Sequence, residues 1–308
     1  MRRNIVVGAL ALAAALILLL VAGGAVQWQR IAPYEAVGHW AGESLLNEPT
    51  GIAASGRYVF VSDARNARVQ VFDHRGTPVR TIGDGVLRRP MNLSLRGDRL
   101  YVADYFRDAI AIFDIEGRML RWAAPEDGLT SPGGVDAYPD GSLLVADTYG
   151  QRVVHFAEDG RLRRTWGGDG IRFNYPTDVA ITDDGGFVVA DGYNDRVQQF
   201  DADGQLVRRW GGPFALNIRG PFPGWFATAT SIAVGPDGRI AVADYFNNRL
   251  QVFDARGRFL TAMQQRTSGS ARHSAMGVAF APDGSLWATH HALHAVEAWA
   301  AADPPLDP

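Results

Sequence analysis

Three histidines fall within five residues in the stretch ATHHALHAVEAWA, at His290, His291 and His294. Imidazoles four apart on a helix make a zinc-binding pair, so these three are candidates for a metal. A second set of chemically capable residues is spread along the chain as Asp63 and Arg68, Asp147 and Arg152, Asp191 and Arg196, and Asp244 and Arg249. A carboxylate beside a guanidinium can orient a catalytic acid. Recurrence at one constant spacing points instead to a structural brace, a bidentate pair repeated along the chain.

Composition narrows the chemistry. Of 308 residues, 47% are apolar and the net charge is -3, which describes a globular chain without the basic footprint of a nucleic-acid partner. No cysteine is present, so disulfides, thiolate nucleophiles and cysteine-bound zinc are excluded. Every cation is an arginine, which excludes Schiff-base lysines and a phosphate-loop lysine. No nucleophile, general base and orienting group can be named together, and no catalytic residue is assigned.

The N-terminus carries Arg2 and Arg3, then an uncharged stretch from Ile5 to Val26. A spanning helix needs about 20 apolar residues, whereas a signal-peptide core has about 7–15. Residues 1–30 are therefore expected to be a membrane anchor, single-pass in the inner membrane, with the arginines cytoplasmic and the rest in the periplasm or outside. Gly23 and Ala25 leave cleavage open, in which case the protein is secreted.

The elements that must position the candidate residues come from an internal repeat. FVSDARNARVQVFDHRG, YVADYFRDAIAIFDIEG, LVADTYGQRVVHFAEDG, VVADGYNDRVQQFDADG and AVADYFNNRLQVFDARG are five versions of one sentence. Their aspartates, Asp63, Asp104, Asp147, Asp191 and Asp244, stand 41, 43, 44 and 53 residues apart. A sixth copy places His290 at the aspartate position, His291 opposite Tyr245 and His294 opposite Asn248, on a turn rather than a helix. Each copy follows a short apolar run such as PTGIA, PTDVA or ATSIA and reads as four short strands joined by Asp-Gly turns. A period of this size signals a propeller, and six copies predict residues 31–303 to be an all-β, six-bladed β-propeller followed by a tail at 304–308. AVGHWAGESLLNEPTGIA echoes RRTWGGDGIRFNYPTDVA, so the strand around Trp40 is expected to complete the last blade.

The phrase VADxxNxRVQVFDxxG beneath PTDVAI resembles the NHL repeat family over about residues 36–300. The resemblance implies a β-propeller; members range from ligand and RNA scaffolds to sensor domains and an amidating lyase. That lyase would draw zinc-binding histidines from several blades, whereas His39, His74, His155 and His273 do not recur at matching positions. A further similarity, to calcium-dependent lactonase and organophosphatase propellers, implies a calcium ion near the inner-strand starts, where this chain has Asn92, Asp178 and Ser231, with Asp136 close by.

Strand alternation puts those starts and the turns between the second and third strands on one face. That face gathers Asn92, Tyr105, Phe106, Tyr149, Asp178, Tyr193, Ser231, Tyr245 and Phe246, with His290 and His291 on its rim. It also receives an insertion with Phe214, Phe222, Trp225 and Phe226, which accounts for the 53-residue spacing. Aromatics interleaved with amides suit a protein or a small polar or glycan ligand, and loops carry function disproportionately. The chain thus reads as a recognition or scaffolding module without a required cofactor. The alternative is a calcium- or zinc-dependent hydrolase, lactonase or lyase working at the channel mouth.

Overall fold

The structure, a computed structural model, describes residues 34–42, 44–167, 172–213, 218–266 and 275–301. The expected span at 5–26, the tail, Phe214 and His273 lie outside the described residues. Among those described, no helix is long and apolar enough to cross a membrane.

Six four-stranded antiparallel sheets follow one another as blades. Blade 1 holds β2 to β5 (Pro49–Ala54, Tyr58–Asp63, Arg68–Asp73, Pro78–Ile82) and blade 2 holds β6 to β9 (Pro90–Arg96, Arg99–Asp104, Ala109–Asp114, Met119–Ala123). Blade 3 holds β10 to β13 (Gly134–Ala137, Leu143–Asp147, Arg152–Phe156, Leu162–Trp166), and blade 4 holds β14 to β17 (Pro176–Ile181, Phe187–Asp191, Arg196–Phe200, Leu206–Trp210). Blade 5 holds β18 to β21 (Ala229–Val234, Ile240–Asp244, Arg249–Phe253, Phe259–Gln264). Blade 6 takes β22 to β24 (Ala275–Phe280, Leu286–His290, Ala295–Ala301) from the end of the chain and β1 (Tyr34–Ala41) from its start.

The second strand of each blade is buried on both faces, which is why VFVSD, LLVAD and IAVAD are nearly continuous apolar runs rather than alternating ones. The core is accordingly divided into six clusters, each filling the wedge between two adjacent blades. One recurring contact joins blades at the outer edge. Trp166 and Trp210, ending the fourth strands of blades 3 and 4, lie on Gly204 and Gly257 in the next blade's last turn, and a Cβ on either glycine would collide with the indole. Both glycines also take positive φ, so glycine is required there twice over.

Ring closure uses the same device. β1 pairs with β24 from Tyr34↔Ala301 to Ala41↔Ala295, and Trp40 lies on Gly76 of blade 1. Trp40 also sits 5.7 Å from Phe72 and 5.2 Å from Trp287, ring centre to ring centre. The first strand of the chain is thus the outer strand of the last blade, as the echo between the Trp40 and Trp166 segments implied.

Candidate functional site

The repeated aspartate and arginine are directly opposite one another on the second and third strands. Their Nε–Oδ2 distances are 2.8 Å for Arg68–Asp63, 2.7 Å for Arg152–Asp147 and Arg196–Asp191, and 2.9 Å for Arg249–Asp244. Each Asp Oδ1 accepts a backbone N–H from the segment leading into the inner strand: Asn47, Thr130, Asn174 and Ala227. The pair is therefore a bracket that holds the loop face from below. Burial pushes the carboxyls of Asp147 and Asp191 up, and that of Asp244 up to about 6. Blade 2 has Ala109 in the arginine position. There Asp104 accepts from Arg88 and Arg89 N–H, and Arg107 approaches from the turn at 3.9 Å.

A second repeated device explains His294. The residue after each of these turns is left-handed, at Ala67, Asp108, Gln151, Asp195, Asn248 and His294, with φ between 49° and 56°. Among the described residues, four such contacts reach to the next blade. Asp108 accepts from Ser131 N (2.7 Å), Gln151 from Tyr175 N (3.1 Å), Asp195 from Thr228 N (2.7 Å) and His294 Nδ1 from Glu48 N (3.0 Å). Glu48, Ser131, Tyr175 and Thr228 are themselves left-handed, at φ 52°, 49°, 49° and 63°. Positive φ is strained for a tyrosine and more so for a β-branched threonine, and such strain gathers at functional sites.

The other two histidines are also engaged with the backbone. His290 Nε2 lies 2.7 Å from Arg266 O and its Nδ1 accepts from Leu293 N, while His291 Nδ1 lies 3.3 Å from Pro49 O. Burial holds both imidazoles below their ordinary pKa. Among the described residues no three His, Asp or Glu side chains gather closely enough to hold a metal ion.

Threonine hydroxyls stitch the inner strands into a belt. Thr50 donates to Pro90 O, Thr148 to Pro176 O, Thr177 to Ala229 O, Thr230 to Ala275 O and Thr289 to Thr50 O. The remaining junction is closed by Asn92 N to Gly133 O at 3.0 Å. The Asn92 side chain crosses the channel, its Nδ2 donating to Thr230 O at 3.1 Å and Thr177 O at 3.4 Å. It partitions the axis into two cavities.

Below Asn92, toward the face of Asp-Gly turns, a cavity of about 140 Å³ is lined by Asp136, Asp178, Ser231 and apolar inner-strand residues. Asp136 accepts from Ala137 N and Ile181 N; Asp178 accepts from Val179 N, Ile232 N and Ser231 Oγ. Burial, reinforced by Asp136, pushes Asp178 up to about 8. Calcium takes six to eight oxygens. These carboxylates are turned to backbone donors on the neighbouring blade and Asn92 presents its N–H groups, so the set does not fit that ion.

Above Asn92 lies the mouth, a cavity of about 350 Å³ lined by Tyr105, Tyr149, Tyr175, Tyr193, Tyr245 and Phe246 over a floor of Thr148, Thr177, Thr228, Thr230 and Met276. Its aromatic wall is continuous across blades 2 to 4. Phe106 meets Tyr105 at 5.4 Å, Tyr105 meets Tyr149 at 5.8 Å, Tyr149 meets Tyr175 at 5.0 Å and Tyr175 meets Tyr193 at 4.9 Å, all edge to face. Burial and the Tyr149 hydroxyl push Tyr105 up to about 12, so this phenol stays protonated.

Of the expected face residues, Tyr105, Tyr149, Tyr193, Tyr245 and Phe246 line this mouth, with Phe106 on its rim. Asn92 is its partition, and Asp178 and Ser231 lie beneath it. Trp225 does not line the mouth: it is held in the insertion, its carbonyl accepting from Arg249 and Gln251 and its ring meeting Phe222 at 4.9 Å. Phe226 is wholly buried. Tyr175 and the threonine floor were missed, although the recurrent Thr of PTGIA, PTDVA and ATSIA marked the belt.

Fold and mouth together define a six-bladed propeller with an aromatic-walled cavity on its axis, uncharged among the described residues. The NHL repeat family model matches residues 173–200 and 226–253, which are blade 4 and blade 5 from lead-in to third strand. Those two segments are thus NHL repeats set in a six-bladed β-propeller. No curated protein matches it by sequence. Among solved structures it is similar to a streptogramin B lyase, with a TM-score of 0.61 and 14% identity over 89% of this chain and 99% of that one. A catalytically inactive virginiamycin B lyase from Staphylococcus aureus, with quinupristin, gives 0.58 and 16% over 84% and 82%. The WD40 propeller domain of Doa1 gives 0.63 and 12% over 87% and 97%. At these identities the likeness is one of fold.

Proposed function

We propose that the protein is a recognition module that binds its partner or ligand at the tyrosine-lined mouth, held at a membrane by residues 5–26. One observation carries the reading: the described residues that line the mouth are aromatics, threonines and a methionine, all neutral. Strain at Tyr175 and Thr228, braced by Gln151 and Asp195, supports a preorganised site rather than an idle surface. The hydrolase or lyase alternative draws on the fold of two neighbours and has no comparable residue set among the described residues.

Capture from envelope extract tests it, comparing Tyr245→Ala and Tyr149→Ala with Asp140→Ala on the opposite face. Loss with the tyrosine variants and retention with Asp140→Ala is expected. The reverse pattern refutes the assignment of the face, and a stoichiometric divalent metal in the purified protein would favour the enzyme.

A further inference from the structure

We propose that Tyr105 and Tyr149 form an oxidative cross-linking site: a haem peroxidase with hydrogen peroxide couples their rings into a dityrosine that ties blade 2 to blade 3. This chemistry belongs to the wall itself and is independent of what the mouth binds. Tyr105 sits in the turn after the second strand of blade 2 and Tyr149 in the turn after the second strand of blade 3, so the two are neighbours in space but not in sequence. Their rings meet edge to face at 5.8 Å and 86°. Their hydroxyls share a hydrogen bond, and Ser131 bonds to the same Tyr105 oxygen. Contact through the hydroxyl ends also brings together the ring carbons beside each C–O bond, which is where a phenoxyl radical reacts. Groups held in contact behave as though present at very high concentration, which favours coupling within the chain over coupling between chains. Access is asymmetric. Tyr149 is 53% exposed and open to an oxidant, whereas Tyr105 is half-buried. No cysteine is present to intercept the oxidant or to supply a disulfide in place of this link.

The step balances. Each phenol gives one electron to the peroxidase haem and one proton to solvent. The two phenoxyl radicals then join through one C–C bond between ortho carbons, and the hydrogens on those carbons move to the oxygens, restoring both phenols. Hydrogen peroxide takes up the two electrons and two protons and leaves as two waters. The product closes a loop of about 45 residues, which restricts the unfolded chain as a disulfide does. Tyr149 also meets Tyr175 at 5.0 Å, and Tyr175 meets Tyr193 at 4.9 Å, but the hydroxyl contact selects Tyr105 as the partner. Among the described residues, Tyr34, Tyr58, Tyr101 and Tyr138 meet no other tyrosine ring and serve as internal controls.

The test treats the full chain in dilute detergent micelles with a haem peroxidase and hydrogen peroxide, and N-acetyltyrosine in a parallel reaction shows that the oxidant is active. Dityrosine fluorescence should rise while the protein stays monomeric on a denaturing gel. Trypsin places Tyr105 in the peptide 100–107 and Tyr149 in the peptide 122–152. Mass spectrometry should find these two joined with the loss of two hydrogens, fragment ions placing the bond on Tyr105 and Tyr149. Tyr149→Phe keeps the ring and should abolish that product; Tyr138→Phe, in the same peptide, should leave it. The cross-linked protein should melt higher by up to roughly 7 °C, a gain absent from treated Tyr149→Phe. No such product from the parent while N-acetyltyrosine couples, cross-links found only between molecules, or a bond placed on Tyr149 and Tyr175 instead, each overturns the inference. A product joining the two peptides that survives Tyr149→Phe does the same.

Discussion

Replacing Trp40 by alanine tests whether the ring is held shut where β1 meets blade 1. The indole lies on Gly76 between Phe72 and Trp287, and it belongs to the cluster joining blades 6 and 1. Removing a buried tryptophan costs about 3–5 kcal/mol. Trp40 keeps partial exposure, so the lower end, about 3 kcal/mol, is expected. With an unfolding entropy of about 2.1 cal/mol/K per residue over a propeller of this length, that lowers Tm by roughly 5 °C. Trp166→Ala is the matched reference, because Trp166 occupies the same position at the junction of blades 3 and 4 and its Nε1 donates to Gly204 O. Both variants should lose comparable stability. Only Trp40→Ala should speed hydrogen exchange in β1 and β24, measured by mass spectrometry at sub-denaturing temperature. A Trp40→Ala protein that melts within about 1 °C of the parent, or one whose faster exchange appears equally in Trp166→Ala, would show that closure rests on something other than this contact.

Asp178 gives a pH signature. Its folded pKa is raised to about 8, so its stabilising contribution is complete below the unfolded carboxylate pKa and is lost as pH rises through about 8. Asp178→Asn should therefore gain stability relative to the parent from pH 5 to pH 8 and hold that gain at pH 9; a difference in Tm that is constant over this range refutes the assignment. At His294, asparagine should be tolerated, because Asn248 holds the same left-handed position in blade 5. His294→Val, β-branched and without an acceptor for Glu48 N–H, should lose about 2 kcal/mol or more in urea unfolding, and equal stability of the two variants would argue against the staple.

Much of this architecture can be read from residues that recur. Blade number, the brace of Asp147 with Arg152 and its counterparts, and the closing strand all follow from a pattern written several times, in which each copy corrects the reading of the others. The mouth was legible only where it drew on that pattern, at Tyr105, Tyr149, Tyr193, Tyr245 and Phe246. Tyr175 was not, because its place in the wall depends on a left-handed backbone that tyrosine does not favour and that Gln151 imposes from the preceding blade. Asn92 was recognised as a channel residue, but its bonds run to Thr177 and Thr230, 85 and 138 residues away, and pairing at that distance leaves no local trace. Trp225 is the opposite case. An unrepeated tryptophan in a long loop suggests an anchor for a ligand, yet Arg249 and Gln251 already hold its carbonyl.

The pairing of β1 with β24 also sets which way the mouth looks. Ala41 lies opposite Ala295, beside the turn that carries His291 on the mouth face, and Tyr34 lies opposite Ala301 at the far end of the strand. The chain therefore enters the propeller from the face of Asp-Gly turns and climbs toward the tyrosines. Eight residues of strand at about 3.3 Å each carry the chain roughly 25 Å from one face of the propeller to the other. A tether ahead of Tyr34, as proposed for residues 5–26, would turn the mouth away from the bilayer, presenting the tyrosines to whatever arrives from the surrounding compartment and hiding them from the lipid surface beneath.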